Sequence, residues 1–267
     1  MTPAVTLTGV SISYALAGGG RYDAVAPVDV SIAEGAFVSI VGPTGCGKST
    51  LLNVAAGLAA PTTGTAAIYG EPLKGLNAQA GYLFQQDALM PWKSALDNVA
   101  LGLEVKGIDR EDALRQAQDM LVQVGLKAFG DRYPHQLSGG QRKRVALAQV
   151  LVRHPKILLM DEPFGPLDAQ TRLIMGELLC GLWQRDRKAV MFVTHDLDEA
   201  IGLSDRVLIM SAGPQSRIIG DFAIDLPRPR DLGEIRNDPA FHRLHRDIWS
   251  VLRDEVRKTY GLLEPAS

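Results

Sequence analysis

Polar and apolar residues alternate along Thr6–Tyr14, where Val10, Ile12 and Tyr14 share one side of a period-two pattern, so this segment reads as a half-buried strand. The glycines at Gly18–Gly20 turn the chain toward a second strand over Ala24–Ile32, which makes a hairpin. Ala36–Val41 is instead an apolar, β-branched run that stops at Gly42, and Ser49–Ala60 beyond it has helical composition with no proline until Pro61. The pattern there predicts strand, glycine loop, helix. Further strands over Thr63–Tyr69 and Gly81–Phe84 give the first half a β-rich character.

From Asp87 to Leu151 the pattern becomes helical. Asp109 can cap a helix that carries Leu114, Ala117, Leu121 and Val124 on one face and is closed by Gly125. Then Ile157–Met160 reads as a short buried strand, Ala169–Arg187 as a helix with Ile174, Leu178 and Leu182 aligned, and Ala189–Thr194 and Arg206–Met210 as strands. This alternation predicts a parallel sheet. A linker is expected to start at Leu226-Pro227-Arg228-Pro229-Arg230. After it Asp238 and Pro239 open a last helix, whose stripe of Phe241, Leu244, Ile248 and Leu252 must pack on something.

Three motifs carry chemistry. Gly42-Pro43-Thr44-Gly45-Cys46-Gly47-Lys48-Ser49 matches G-x-x-x-x-G-K-[ST] between a strand and a helix, and with Thr50 it forms a cradle of backbone donors at a positive helix end. Lys48 would reach the β and γ phosphates of a nucleotide and Ser49 would ligate Mg²⁺. The strand Ile157–Met160 delivers Asp161, placed for Mg²⁺, and Glu162, placed to polarise an attacking water. Leu137-Ser138-Gly139-Gly140-Gln141 opens a further helix, Gln141–Val152, that could offer amides, a hydroxyl and a helix dipole to a γ-phosphate; such a start is also an ordinary cap.

With these motifs the chain resembles the ATP-binding-cassette ATPases, whose signature is LSGGQ, from Val5 to the last helix. The resemblance implies an α/β P-loop NTPase with a RecA-like core, a β-rich N-terminal subdomain, a helical subdomain insertion and a C-terminal helical tail. It implies one nucleotide-binding domain, divided into core (1–86 and 155–225), helical subdomain (87–154) and tail (226–267), with ATP and Mg²⁺ as cofactors. Tyr14, or Tyr22 in its stead, looks like the aromatic that stacks on adenine. Gln85 resembles the glutamine that touches Mg²⁺ and the water. Asp168 resembles the aspartate of the loop that communicates across a dimer, or it simply caps the next helix. His195 resembles the switch histidine at the γ-phosphate. The implied catalytic set is Glu162, His195, Gln85 and Lys48, the implied Mg²⁺ ligands are Ser49, Gln85 and Asp161, and Ser138, Gly139, Gly140 and Gln141 face the nucleotide of a second subunit.

Leu89-Met90-Pro91-Trp92 and the segment Leu226–Asp231, with Phe241 and Trp249, resemble the subgroup that energises uptake of nitrate, taurine, alkanesulfonates and related solutes. The partners implied are a second ATPase subunit, an identical chain or a paralogue, a transmembrane permease received near Leu89, Pro91 and Trp92, and, indirectly, a periplasmic solute-binding protein. The implied location is the cytoplasmic face of a bacterial inner membrane. Gln149 stands where arginine is common, and Pro166, which lacks an amide donor, stands where alanine or serine is usual.

Composition changes the picture in one respect. The 267 residues, 46% hydrophobic and 22% charged, suit one large α/β domain, and 28 basic against 30 acidic residues leave a net charge of -2, with no global basic field for nucleic acid. That disfavours a cassette working on DNA or the ribosome, and the intact Lys48, Asp161, Glu162 and His195 disfavour a non-hydrolysing regulatory cassette. No apolar run reaches the length of a membrane helix, and two cysteines, Cys46 and Cys180, make no disulfide framework, which suggests a reducing compartment.

Overall fold

The computed structural model describes residues 2–261. Its strands are β1 (Val5–Ala15), β2 (Arg21–Ile32), β3 (Phe37–Val41), β4 (Thr63–Ile68), β5 (Glu71–Pro72), β6 (Ala80–Leu83), β7 (Ile157–Asp161), β8 (Ala189–Val193), β9 (Arg206–Met210) and β10 (Ile218–Ala223). Its helices are α1 (Lys48–Ala56), α2 (Ala95–Glu104), α3 (Arg110–Gln123), α4 (Gly139–Leu151), α5 (Ala169–Asp186), α6 (Leu197–Leu203) and α7 (Pro239–Thr259).

Two sheets result. An antiparallel sheet has the order β2-β1-β4-β5, and a six-stranded sheet has the order β10-β9-β3-β8-β7-β6. In the second, β6, β7, β8, β3 and β9 run parallel, and β10 pairs antiparallel at the edge. Strand β3 is buried along its whole length because sheet and helices cover both faces, which is why its sequence is apolar except for Ser39, whose hydroxyl pairs with that of Ser204. One core lies between the antiparallel sheet, α1 and one face of the large sheet; a second lies between the other face, α5 and the helices α2–α4. A third joins α6 and α7 to β9 and β10.

Several expectations need correction. Helix α1 stops at Ala56 rather than Ala60, because Gly57 takes a left-handed conformation (φ 71°) and a side chain there would strike the Gly75 carbonyl. The apolar stripe of α5 is rotated from the one the spacing suggests: Ile174 is 47% exposed, while Met175, Leu179 and Trp183 are buried with Leu182. Strand β10 forms where the sequence pattern predicts none, pairing antiparallel with β9. The segment from Leu226 is a strap, not a linker, since Leu226 and Arg230 are buried and Arg230 donates to the carbonyls of Ile201, Gly202, Ser204, Ile224 and Leu226. In α7 the expected stripe is inside: Asp238 caps the helix, and Phe241, Ile248 and Leu252 are buried, with Leu244 partly so.

Candidate functional site

The strands β3, β7 and β8 lie side by side and parallel, so the turns that follow them open on one edge of the sheet. That edge brings together the 42–47 loop, Asp161–Glu162 and Thr194–His195. Lys48, at the first turn of α1, is buried, and its Nζ donates to the carbonyls of Gly42 (2.8 Å) and Pro43 (3.0 Å) while standing 3.8 Å from Glu162 Oε1. Ser49 Oγ donates to Asp161 Oδ1 at 2.7 Å. Glu162 has a left-handed backbone (φ 41°), a strained state for a non-glycine residue, and its N–H donates to the Val193 carbonyl at 2.9 Å. Its Oε2 lies 3.1 Å from Nδ1 of the half-exposed His195. One carboxylate is thus held between an ammonium and an imidazole.

Burial pushes the Asp161 carboxyl up from the ordinary carboxylate range, opposed by the Ser49 hydrogen bond. Ser49 and Asp161 offer two hard oxygen donors side by side. Among the described residues there is no cluster of three or more His, Cys, Asp and Glu that could hold a metal. Two protein oxygens are what Mg²⁺ asks of a site where water and nucleotide phosphates fill the other positions, so the donor set fits that ion. Gln85 is exposed just beyond β6, whose Leu83 pairs with Met160 of β7, and it therefore belongs to the same edge as Asp161.

Ser138–Gln141 and Asp168 come together elsewhere. Ser138 caps α4 by accepting from the Gln141 N–H (3.2 Å), and Gln141 Oε1 accepts from the Ser138 N–H (2.9 Å). Gly139 and Gly140 abut Leu167 and Thr171, and a Cβ on Gly140 would stand 2.5 Å from Thr171 Cγ2. Asp168 caps α5, accepting from the Thr171 N–H (3.0 Å) and hydroxyl (2.6 Å), which hold its carboxyl below the usual range. Their neighbours within the chain are thus Leu167 and Thr171, not the Gly42–Ser49 loop. Tyr14 and Tyr22 pair directly across β1 and β2, both substantially exposed. The Tyr22 hydroxyl is 3.6 Å from where a Gly213 Cβ would stand, and that position is 3.7 Å from the Gly45 carbonyl.

Two features escape sequence reasoning. The first is Lys143 of α4, 98% buried, which ion-pairs with Asp87 (2.8 Å) and donates to the Gln85 carbonyl (3.0 Å), tying the segment after β6 to the Ser138 helix. Gln149 makes a second tie, donating at 3.0 Å to the carbonyl of Asn98, whose own side chain bonds Met90, Lys93 and Ser94. In sequence Lys143 sits between Arg142 and Arg144 and reads as part of a solvated basic run. The second is Arg172, which donates to Asp196 (2.7 Å) and to the Leu167 carbonyl (3.1 Å) and lies 3.6 Å from Glu199. Glu199 also accepts from the Thr194 hydroxyl at 2.6 Å. The Asp196-x-x-Glu199 spacing was the available signal, a helix-start pattern.

Burial pushes the Glu199 carboxyl up to about 7. The folded chain therefore keeps this proton between the ordinary glutamate value and neutrality while the unfolded chain releases it, so stability falls as pH rises through that window. Glu199→Gln is expected to remove this fall: from pH 5 to 7.5 the wild type should lose stability relative to the variant, on the order of 2 kcal/mol. Denaturant titrations at several pH values check this, and parallel profiles would contradict it.

Comparison with known proteins gives one answer. The family described as ABC transporter matches residues 25–165. An uncharacterized ABC transporter ATP-binding protein of Methanocaldococcus jannaschii is 46% identical over 90% of this chain and 88% of its own length. The taurine import ATP-binding protein TauB of Pseudomonas aeruginosa is 42% identical over 94% and 96%. The bicarbonate transport ATP-binding protein CmpC of Synechococcus elongatus is 37% identical over 95% of this chain but only 38% of its own. A solved structure of a dimeric ATP-binding cassette in a post-hydrolysis state with ADP and Pi superposes with a TM-score of 0.73 at 33% identity, covering 84% of this chain and all of that one.

Proposed function

Because the chain belongs to the ABC transporter family of ATPases, we propose that it hydrolyses ATP to drive import of a small solute of the nitrate, taurine or sulfonate kind. The observation that carries the reading is the convergence of Lys48, Glu162 and His195 beside the Ser49–Asp161 pair. Amides of the 42–49 loop and Lys48 bind the phosphates of ATP. Glu162, anchored through Val193, accepts a proton as water attacks the γ-phosphorus, and ADP departs with its β-phosphate still held by the loop. His195 orients the Glu162 carboxylate and contacts the γ-phosphate, and Gln85 touches the water from the β6 side. Ser49, Asp161 and Gln85 would hold Mg²⁺, which when bound would supply positive charge to offset that developing on the phosphate oxygens. Tyr14 or Tyr22 stacks on the base.

The Ser138–Gln141 turn and Asp168 form a face of their own, and the solved cassette that this chain resembles is a dimer. We place that face against the ATP of a second, identical subunit. The membrane partner is a permease, fed by a periplasmic binding protein, which puts the chain on the cytoplasmic face of an inner membrane. Pro91 and Trp92, exposed ahead of α2, offer it an apolar seat, and a separate groove of about 780 Å³ between the β6 edge and α2 and α4 is walled by Leu58, Leu76, Phe84, Val105 and Arg153. The same reading divides the chain into core (1–86 and 155–225), helical subdomain (87–154) and tail (226–267), of which 262–267 lie outside the described residues.

Hydrolysis of Mg–ATP as a function of protein concentration tests the shared site. Specific activity is expected to rise with concentration until dimers saturate. Constant specific activity together with a monomeric mass at every dilution would overturn it, and stimulation by DNA would favour a nucleic-acid cassette instead.

A further inference from the structure

The 42–47 loop is held from behind by a segment that no motif marks. The turn between β9 and β10 is stitched to β2: the Gln215 N–H donates to Asp23, the Ser216 N–H to Ala24, and the Ala26 N–H to Ser216. Ser216 is fully buried, and its Oγ lies 2.5 Å from the Cys46 carbonyl and 3.1 Å from that of Ala24. On the same side the loop touches β2 and β9. A Cβ on Gly47 would stand 2.5 Å from Val25 Cγ2, and one on Gly42 would stand 2.9 Å from the Met210 carbonyl. The start of the turn is pinned in its own right, because the Ala212 N–H donates to Glu255 of α7 at 2.8 Å and Lys258 holds the other oxygen of that carboxylate at 2.7 Å.

We propose that Ser216 is a positioning residue for the phosphate loop, and that the C-terminal helix, through Glu255 and the 212–216 turn, sets how well the loop holds nucleotide. The hydroxyl proton on the Cys46 carbonyl does two things. It fixes the orientation of the Cys46–Gly47 peptide, whose carbonyl would otherwise be free to rotate toward the anion and repel it. It also polarises that peptide, so that the Gly47 N–H on the other side becomes a stronger donor. The inference rests on reading residues 42–49 as the nucleotide loop. It gives α7 a task that the sequence left open.

Calorimetric titration of the full chain with ADP tests it. Ser216→Ala is expected to raise the ADP Kd by about three- to tenfold, the equivalent of one hydrogen bond, and to raise the KM for ATP by a larger factor than kcat falls. Glu255→Ala, acting through the turn, should shift the Kd in the same direction by about twofold, since it removes one outer anchor of the turn. The two cysteines provide a local gauge, both being buried. In Ser216→Ala, alkylation of Cys46 by N-ethylmaleimide should accelerate while that of Cys180 stays as in the wild type. An unchanged Kd and KM in Ser216→Ala would overturn the proposal, as would equal acceleration at both cysteines, the mark of general loosening. If the wild type itself bound no ADP, the reading of the loop would fail first and this inference with it.

Discussion

Glu162→Gln is expected to abolish ATP hydrolysis, by a factor of about 10² to 10⁴, while leaving ATP bound. The amide cannot take the proton of an attacking water, yet it keeps the size and reach of the carboxylate and can still meet His195 Nδ1, which lies 3.1 Å from the present Oε2. Its backbone demand is unchanged, because glutamine at φ 41° is no more strained than glutamate, so the thermal midpoint should stay close to that of the wild type. Binding without turnover should then trap the shared state. Size measurements with ATP are expected to show a dimer that persists, and with ADP a monomer. A variant that retains more than about a tenth of wild-type turnover would remove Glu162 from the role of base, since general-base contributions start near a hundredfold.

Arg230→Met should produce the largest loss of stability. The guanidinium is buried and donates to five main-chain carbonyls, two at the end of α6, one just beyond it and two in the strap after β10. Burial pushes Arg230 down to about 10, which still leaves it charged at neutrality. Methionine fills the space and supplies no donor, so all five carbonyls lose their partner at once. The expected cost is about 3–5 kcal/mol, or roughly 10 °C in thermal midpoint for a chain of this size. Lysine should recover only part, because a point charge with three donors cannot span carbonyls arranged for a planar fork. Arg228, beside it, has other partners, pairing with Asp205 at 2.8 Å and stacking 4.3 Å from the Trp183 ring. A shift below about 2 °C in Arg230→Met would mean that the strap is held by its apolar contacts instead.

The parts of the site that could be read in advance are those whose chemistry is local. The spacing of glycines before Lys48 encodes a backbone shape directly, and Asp161, Glu162 and His195 follow apolar runs whose ends must lie on one edge of a parallel sheet. The parts that could not be read depend on partners far along the chain. Ser216 touches Cys46 across 170 residues, and nothing near Ser216 repeats with a period that would betray it. The strap reads as a linker in sequence because proline and arginine usually mark solvent. Here the surrounding carbonyls convert Arg230 into an interior residue. Helix α5 misled for another reason: it is covered by the large sheet on one side and by Leu232 of the strap against Gly176 on another, so its apolar residues form no single clean stripe.

The strand order has a consequence for how the chain comes to exist. Strand β3, which leads into the 42–49 loop, is flanked by β8 and β9, made about 150 and 170 residues later. A ribosome working from the N-terminus thus releases the loop long before anything can hold it in shape, and Ser216 arrives later still. Throughout that interval the nascent chain has a phosphate-binding sequence without a phosphate-binding site. Nucleotide can be held firmly only once β8 and β9 have been made and have joined β3, so its capture follows the meeting of the distant halves of the sheet and serves as a late check on it.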